Sequence, residues 1–154
     1  MFFKKKVAAA LVFVMVLMAA MPAFALQADS RHVYEGIDVS VYQGNIDFEK
    51  VKGDGIEVVY IRAGEGSSYV DSKFKQNARR ANAAGLKFGF YLYVTAQNTE
   101  EAEQQASFFA DLIKDYDYDC RPAMDFENFS GLSRDQVNQI GKAFMEKLED
   151  THLI

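Results

Sequence analysis

Two kinds of apolar pattern run along the 154 residues. The first is a solid block, with no polar side chain between Val7 and Ala20 and with Lys4, Lys5 and Lys6 directly before it. The second begins at Gly36 and is a series of short β-branched or aromatic runs separated by segments of helical spacing. Gly36-Ile37-Asp38-Val39-Ser40-Val41 predicts a strand, and Asp47 to Lys52 a short helix capped by Asp47. Ile56 to Ala63 is apolar enough for a buried strand. Asp71 is expected to cap a second helix in which Phe74, Ala78 and Ala81 share a face, with Gly85 at its left-handed end. Leu86 to Val94 predicts an aromatic-rich third strand, and Asn98 with Glu101 has capping-box spacing before a helix through Phe108, Phe109 and Leu112. Arg121 to Glu127 reads as a fourth strand, and Ser133 with Gln136 opens a helix to about Asp150.

Strands alternating with helices imply parallel strands joined by right-handed crossovers. The fold class is therefore α/β, a parallel βα repeat of about four units. Residues 26–35 lack an apolar period and are read as a leader into the domain; no long linker, low-complexity tract or second domain follows.

The N-terminal block has the layout of a signal peptide. A lysine n-region and an apolar core precede Ala23-Phe24-Ala25, the small-x-small pattern of a cleavage site. An uncleaved membrane anchor is the alternative, but Pro22 interrupts the run, which is short for a bilayer that needs about 20 apolar residues. Residues 1–25 are expected to be removed after Ala25, leaving a secreted, extracellular chain with no stable membrane anchor. Losing Lys4, Lys5 and Lys6 from 17 basic residues leaves 14 against 22 acidic ones, a formal charge of −8. Such a chain has no counterion-release attraction to offer, so nucleic acid is excluded as a partner. Cys120 is the sole cysteine, so core burial rather than an internal disulfide must hold the domain.

Candidate chemistry sits at the strand ends. In a strand, Asp125 and Glu127 point to the same face. Two carboxylates at the C-terminal end of a parallel strand lie where α/β enzymes place their catalysis. Their proximity opposes double ionisation, so one pKa should rise and keep a proton available. The plainer alternative is a solvated Asp-x-Glu at a strand end. Asp38, between Ile37 and Val39, is costly to bury unless paired or functional; it serves either in an acidic cluster with Asp125 and Glu127 or as a cap for the turn through Ser40. Gly64-Glu65-Gly66 lacks the spacing of a phosphate-cradling loop.

Taken in order, several segments resemble family 25 of the glycoside hydrolases, the lysozyme-type muramidases. Gly36-Ile37-Asp38-Val39-Ser40 with Gln43-Gly44 is similar to the family's opening signature, and Ile46-Asp47-Phe48 with Val51 to its first helix. Ile61-Arg62-Ala63 with Glu65-Gly66, then Phe74 with Asn77, Ala84-Gly85-Leu86 and Gly89-Phe90-Tyr91, continue the match. Ala102-Glu103, Gln105-Ala106 and Phe109 resemble its third helix, and Pro122-Ala123-Met124-Asp125-Phe126-Glu127 its Asp-x-Glu strand. Tyr91-Leu92-Tyr93 departs from the Tyr-His-Phe run common there.

The resemblance implies an irregular barrel of the TIM type and hydrolysis of the β-1,4 bond between N-acetylmuramic acid and N-acetylglucosamine in peptidoglycan. It implies Glu127 as general acid, Asp125 as a partner that modulates the proton or positions the substrate acetamido group, and Asp38 as the third acidic residue. Candidate substrate contacts are Arg62, Glu65, Tyr42, Tyr91 and Tyr93. For Arg62 a structural ion pair that neutralises the acidic cluster is the alternative, and for the tyrosines a place in the core. No cofactor or metal site is predicted, because His32 and His152 lie at the two ends of the domain. A full α/β barrel takes about 200 residues or more, so residues 36–154 are expected to be a truncated domain, a partial barrel without its later strands. Reduced or no activity alone is expected of it. The competing function is a non-catalytic remnant that binds cell-wall glycan.

Overall fold

The computed structural model describes residues 33–153; the predicted signal peptide and most of the leader lie outside the described residues. The elements are β1 (Gly36–Val39), a 3-10 turn (Val41–Gln43), α1 (Phe48–Gly53), β2 (Val58–Glu65), β3 (Tyr69–Val70), α2 (Phe74–Ala83), β4 (Lys87–Tyr93), α3 (Thr99–Ile113), β5 (Ala123–Asp125) and α4 (Arg134–Glu149). The strands are ordered β1-β2-β4-β5, all parallel, with β3 antiparallel on the end of β2. This is the βα repeat expected from the alternation of patterns.

Local chemistry sets most boundaries. Asp47 accepts from the Lys50 amide at 3.3 Å and Asn98 from the Glu101 amide at 2.9 Å, each satisfying a donor in a first helical turn. Ser133 and Gln136 form a reciprocal capping box on α4, and Gly85 ends α2 at a φ of 68°. A second capping box, between Ser40 and Gln43, turns the chain out of β1 after Val39, so that strand is shorter than its sequence pattern. The fourth strand is also shorter than expected. Pro122 has no N–H to give to the ladder, and beyond Asp125 the Phe126 ring turns onto Phe129 at 5.1 Å, which leaves Glu127 past the strand.

One expected cap is corrected. Asp71 does not cap α2; the N-cap is Lys73, which makes no side-chain cap bond. The Asp71 side chain is instead fully buried against Arg62, because a buried guanidinium is a stronger partner than an exposed helix amide. Asp71 still accepts from the Lys73 amide at 2.8 Å and so holds the entry to the helix.

The strands present two faces. On one, Val39, Val59, Ile61, Ala63, Phe90 and Leu92 are buried beneath the helices. Phe74, Ala78 and Ala81 of α2 meet them as their shared face predicted, together with Phe109 and Ile113 of α3 and Ile140, Phe144 and Leu148 of α4. Phe90 is the hub of an aromatic cluster, edge-on to Phe74 at 5.1 Å, Tyr116 at 5.3 Å, and Phe88 and Tyr118 at 5.5 Å. Such pairs add about 0.5–1.5 kcal/mol each beyond the area they bury.

Candidate active site

The other face of the sheet carries different residues at the alternate positions. The register aligns Asp38 with Tyr60 and Gly89, then Arg62 with Tyr91 and Ala123, and after a bulge Glu65 with Tyr93 and Asp125. Each row lies nearer the C-terminal ends of the strands than the one before. Asp38 and Asp125 belong to outer strands of the parallel array, yet both line one open depression of about 850 Å³ with Tyr60, Tyr91 and Glu127. Three strand spacings on a flat sheet would span about 14 Å. The two-row stagger and the curl of a barrel-type sheet bring the acidic groups round a common hollow.

Glycine makes the hollow possible. A Cβ on Gly89 would stand 2.8 Å from the Cys120 Cβ and 3.0 Å from the Tyr60 ring. The bare backbone there lets Tyr60 cross β4 and donate its hydroxyl to the Arg121 carbonyl at 3.0 Å.

Asp125 is half-buried, and its carboxyl is raised above the usual carboxylate range. Burial is the largest cause, followed by the charge of Glu127, a hydrogen bond with it, and the charge of Asp38; Arg62 opposes the shift. The expected rise within the acidic pair therefore falls on Asp125. Tyr91 stands in the row between Asp38 and Asp125, and its phenol is pushed up to about 12. Burial is again the first cause, then Asp38, with Asp125 adding and Arg62 opposing. Tyr91 thus keeps its proton at neutral pH and offers a hydroxyl donor to the hollow.

Beside this cluster lies a second arrangement. Arg62 is buried and donates from Nε to Asp71 Oδ2 at 2.8 Å, while its Nη1 lies 3.8 Å from Glu65. Burial opposes the Arg62 charge, but the hydrogen bond and charge of Asp71 outweigh it and raise the guanidinium pKa. Asp71 Oδ2 also accepts from the Val41 amide at 2.9 Å, which ties the turn after β1 to the end of β2. The guanidinium carbon lies 5.0 Å from the Tyr42 ring centre and 5.7 Å from that of Tyr69.

The sequence-predicted residues therefore divide. Asp38, Asp125, Glu127 and Tyr91 come together in the hollow. Tyr93 lies half-buried in the row of Glu65 and Asp125. Arg62, Glu65 and Tyr42 do not line the hollow; Arg62 is in register with Tyr91 beside it and is paired to Asp71 rather than to the acidic cluster. Asp38 is exposed on the open face, so the burial cost expected for it does not arise; Ile37 and Val39 turn the other way. Leu92 is buried on the helix side, so its departure from a histidine faces away from the hollow. Sequence reasoning missed Tyr69 and the β2–β3 hairpin. The signal was Gly64-Glu65-Gly66: a Cβ on Gly64 would run into the Tyr69 carbonyl oxygen, and Gly66 turns at a φ of 60°.

A parallel βα sheet with carboxylates gathered at the C-terminal side of its open face has the layout of an α/β enzyme domain. The model of glycosyl hydrolases family 25 matches residues 37–152, and the chain belongs to that family. It is 43% identical over 115 residues to the autolytic lysozyme of Clostridium acetobutylicum, an alignment covering 74% of this chain and 34% of that protein. Among solved structures, a family 25 glycosyl hydrolase from Bacillus anthracis superposes with a TM-score of 0.67 at 27% identity, over 80% of this chain and 58% of that one. The bacterial lysozyme of Streptomyces coelicolor gives 0.65 at 30% identity, over 79% and 59%. The chain thus spans about a third of that curated relative and somewhat over half of these solved chains.

Proposed function

We propose that this chain carries the acidic wall of a muramidase that hydrolyses the β-1,4 bond between N-acetylmuramic acid and N-acetylglucosamine in peptidoglycan. The observation that carries the reading is the gathering of Asp38, Asp125 and Glu127 round one hollow with Tyr91 beside them. Glu127, exposed past the end of β5, is the general acid that protonates the leaving glycosidic oxygen. Asp125 modulates that proton, since burial and the neighbouring charge of Glu127 raise its carboxyl above the usual range and oppose double ionisation of the pair. Asp38 supplies negative charge from the facing strand, where positive charge develops at the anomeric carbon. Tyr91 offers a fixed donor to a sugar substituent.

The hollow is open, and β1 and β5 end the parallel array among the described residues. Full rate is proposed to need groups from an opposite wall, because a sugar held on one side is not oriented for reaction. The route to the wall is secretion, supported by the n-h-c pattern of residues 1–25 and consistent with lysozyme and autolysin relatives; intact mass of exported protein should place the mature N-terminus at Leu26.

The test uses purified peptidoglycan and two proteins: this chain, and a version extended with the second half of the autolytic lysozyme domain. The extended protein should release reducing N-acetylmuramic acid ends and clear turbidity, and the shorter one should be much slower. Binding with no new reducing ends from either protein would establish the competing reading, a glycan-binding module without turnover.

A further inference from the structure

We propose that Tyr42 and Tyr69 form a glycan-stacking lip at the rim of the hollow, with Asp71 as the positioning residue that holds it through Arg62. The proposal rests on the peptidoglycan reading and assigns part of the substrate's grip to residues outside the acidic cluster.

Tyr42 is 82% exposed and Tyr69 43% exposed, although large aromatic side chains ordinarily gain stability by burial. Neither ring hangs free. The Arg62 guanidinium lies 5.0 Å from the centre of one and 5.7 Å from the other, within range of cation–π attraction. Arg62 cannot swing away, because its Nε is fixed by an Asp71 carboxylate with no solvent exposure. The same Asp71 oxygen accepts from the Val41 amide, next to Tyr42, and the Ser40–Gln43 capping box closes the turn from the other side. Tyr69 is held by its own backbone in the β3 ladder opposite Glu65.

Two rings held near one fixed cation, and still facing solvent, have already lost the freedom that a flexible side chain would lose on binding. Their free faces suit the apolar C–H face of a pyranose ring. The half-exposed Glu65 carboxylate, 3.8 Å from Arg62, can accept from a sugar hydroxyl or acetamido N–H beside them. The lip and the acidic cluster are adjacent, since Arg62 pairs in register with Tyr91 and its charge is felt at Asp125. A linear glycan whose scissile bond lies over Asp125 and Glu127 is thus placed to rest a further ring on Tyr42 and Tyr69. The ligand class is a β-1,4-linked N-acetylated saccharide, bound one or more rings from the bond that is cut.

The test is binding of a soluble peptidoglycan tetrasaccharide to the whole chain, followed through the ring signals of isotope-labelled tyrosines. The Tyr42 and Tyr69 signals should shift on titration. Tyr42→Ala and Tyr69→Ala, which remove exposed rings, should each weaken binding roughly tenfold, and Tyr42→Phe should retain it. Asp71→Asn should weaken binding and broaden the Tyr42 signal, whereas a merely structural role would lower the melting temperature and leave that signal unchanged. Unshifted Tyr42 and Tyr69 signals, wild-type affinity in both alanine variants, or no binding by the wild-type chain would overturn the lip. Reducing ends from the extended protein are read separately. Their absence alongside intact, tyrosine-dependent binding would defeat the muramidase reading and leave the lip standing.

Discussion

Val59, Ile61 and Phe90 alternate with Tyr60, Arg62 and Tyr91 along the same strands, yet the two sets belong to different surfaces. The first set is sealed beneath α2, α3 and α4, and its contribution is burial. The second lies on the open face, where Tyr60 is held on a carbonyl, Arg62 on Asp71, and Tyr91 stands beside the carboxylates of the hollow. The helix-covered face sets whether the chain folds. The open face holds groups whose ionisation and direction matter more than their area. Changes on the two faces should therefore separate stability from chemistry.

The largest effect is expected on the covered side. Phe90→Ala removes a fully buried ring with four aromatic neighbours and should cost about 3–5 kcal/mol of unfolding free energy by chemical denaturation. A loss below about 1 kcal/mol would mean that the aromatic hub is not the centre of the core.

Glu127→Gln tests the opposite side. It should lower hydrolysis by the extended protein by about 10²-fold or more, because the transferable proton is gone. Glu127 is exposed, so the melting temperature should hardly move. Asp38→Asn and Asp125→Asn should each cost less activity. A Glu127→Gln protein near the wild-type rate would remove Glu127 from the role of acid.

Gly89→Ala probes a tightly packed point on the open face. The added methyl meets Cys120 and Tyr60 at 2.8–3.0 Å, and about 1–3 kcal/mol of destabilisation is expected. Unchanged stability would show that the segment through Cys120 yields easily.

The smallest effect is a pH dependence. The folded Asp125 carboxyl binds its proton more tightly than the unfolded one, whose pKa is about 3.9. This group therefore weakens the fold as pH rises from the unfolded pKa through the raised folded one. Asp125→Asn should melt slightly higher than wild type at pH 7, with the difference gone by about pH 3. A variant less stable than wild type at pH 7 but not at pH 3 would reverse the sign and refute the shift.

The sequence by itself determined the elements and their order. Apolar periodicity, the capping pairs Asn98–Glu101 and Ser133–Gln136, and the φ-permissive Gly85 are local, and each acts within a few residues of where it is written. The same locality made Asp125 and Glu127 legible as a pair, since i and i+2 share a face in any strand. Only the tertiary structure decided that Asp38, almost ninety residues away, shares their hollow. It also left Asp38 exposed in a strand whose Ile and Val are turned to the other face, and it drew Asp71 from a helix cap to Arg62. Tyr69 entered the rim in the same way, on a hairpin that two glycines permit but no hydrophobic period announces. These outcomes depend on sheet curl, strand stagger and the competition of one carboxylate's possible partners. Those are long-range quantities, fixed when the helices close over one face and leave the other open.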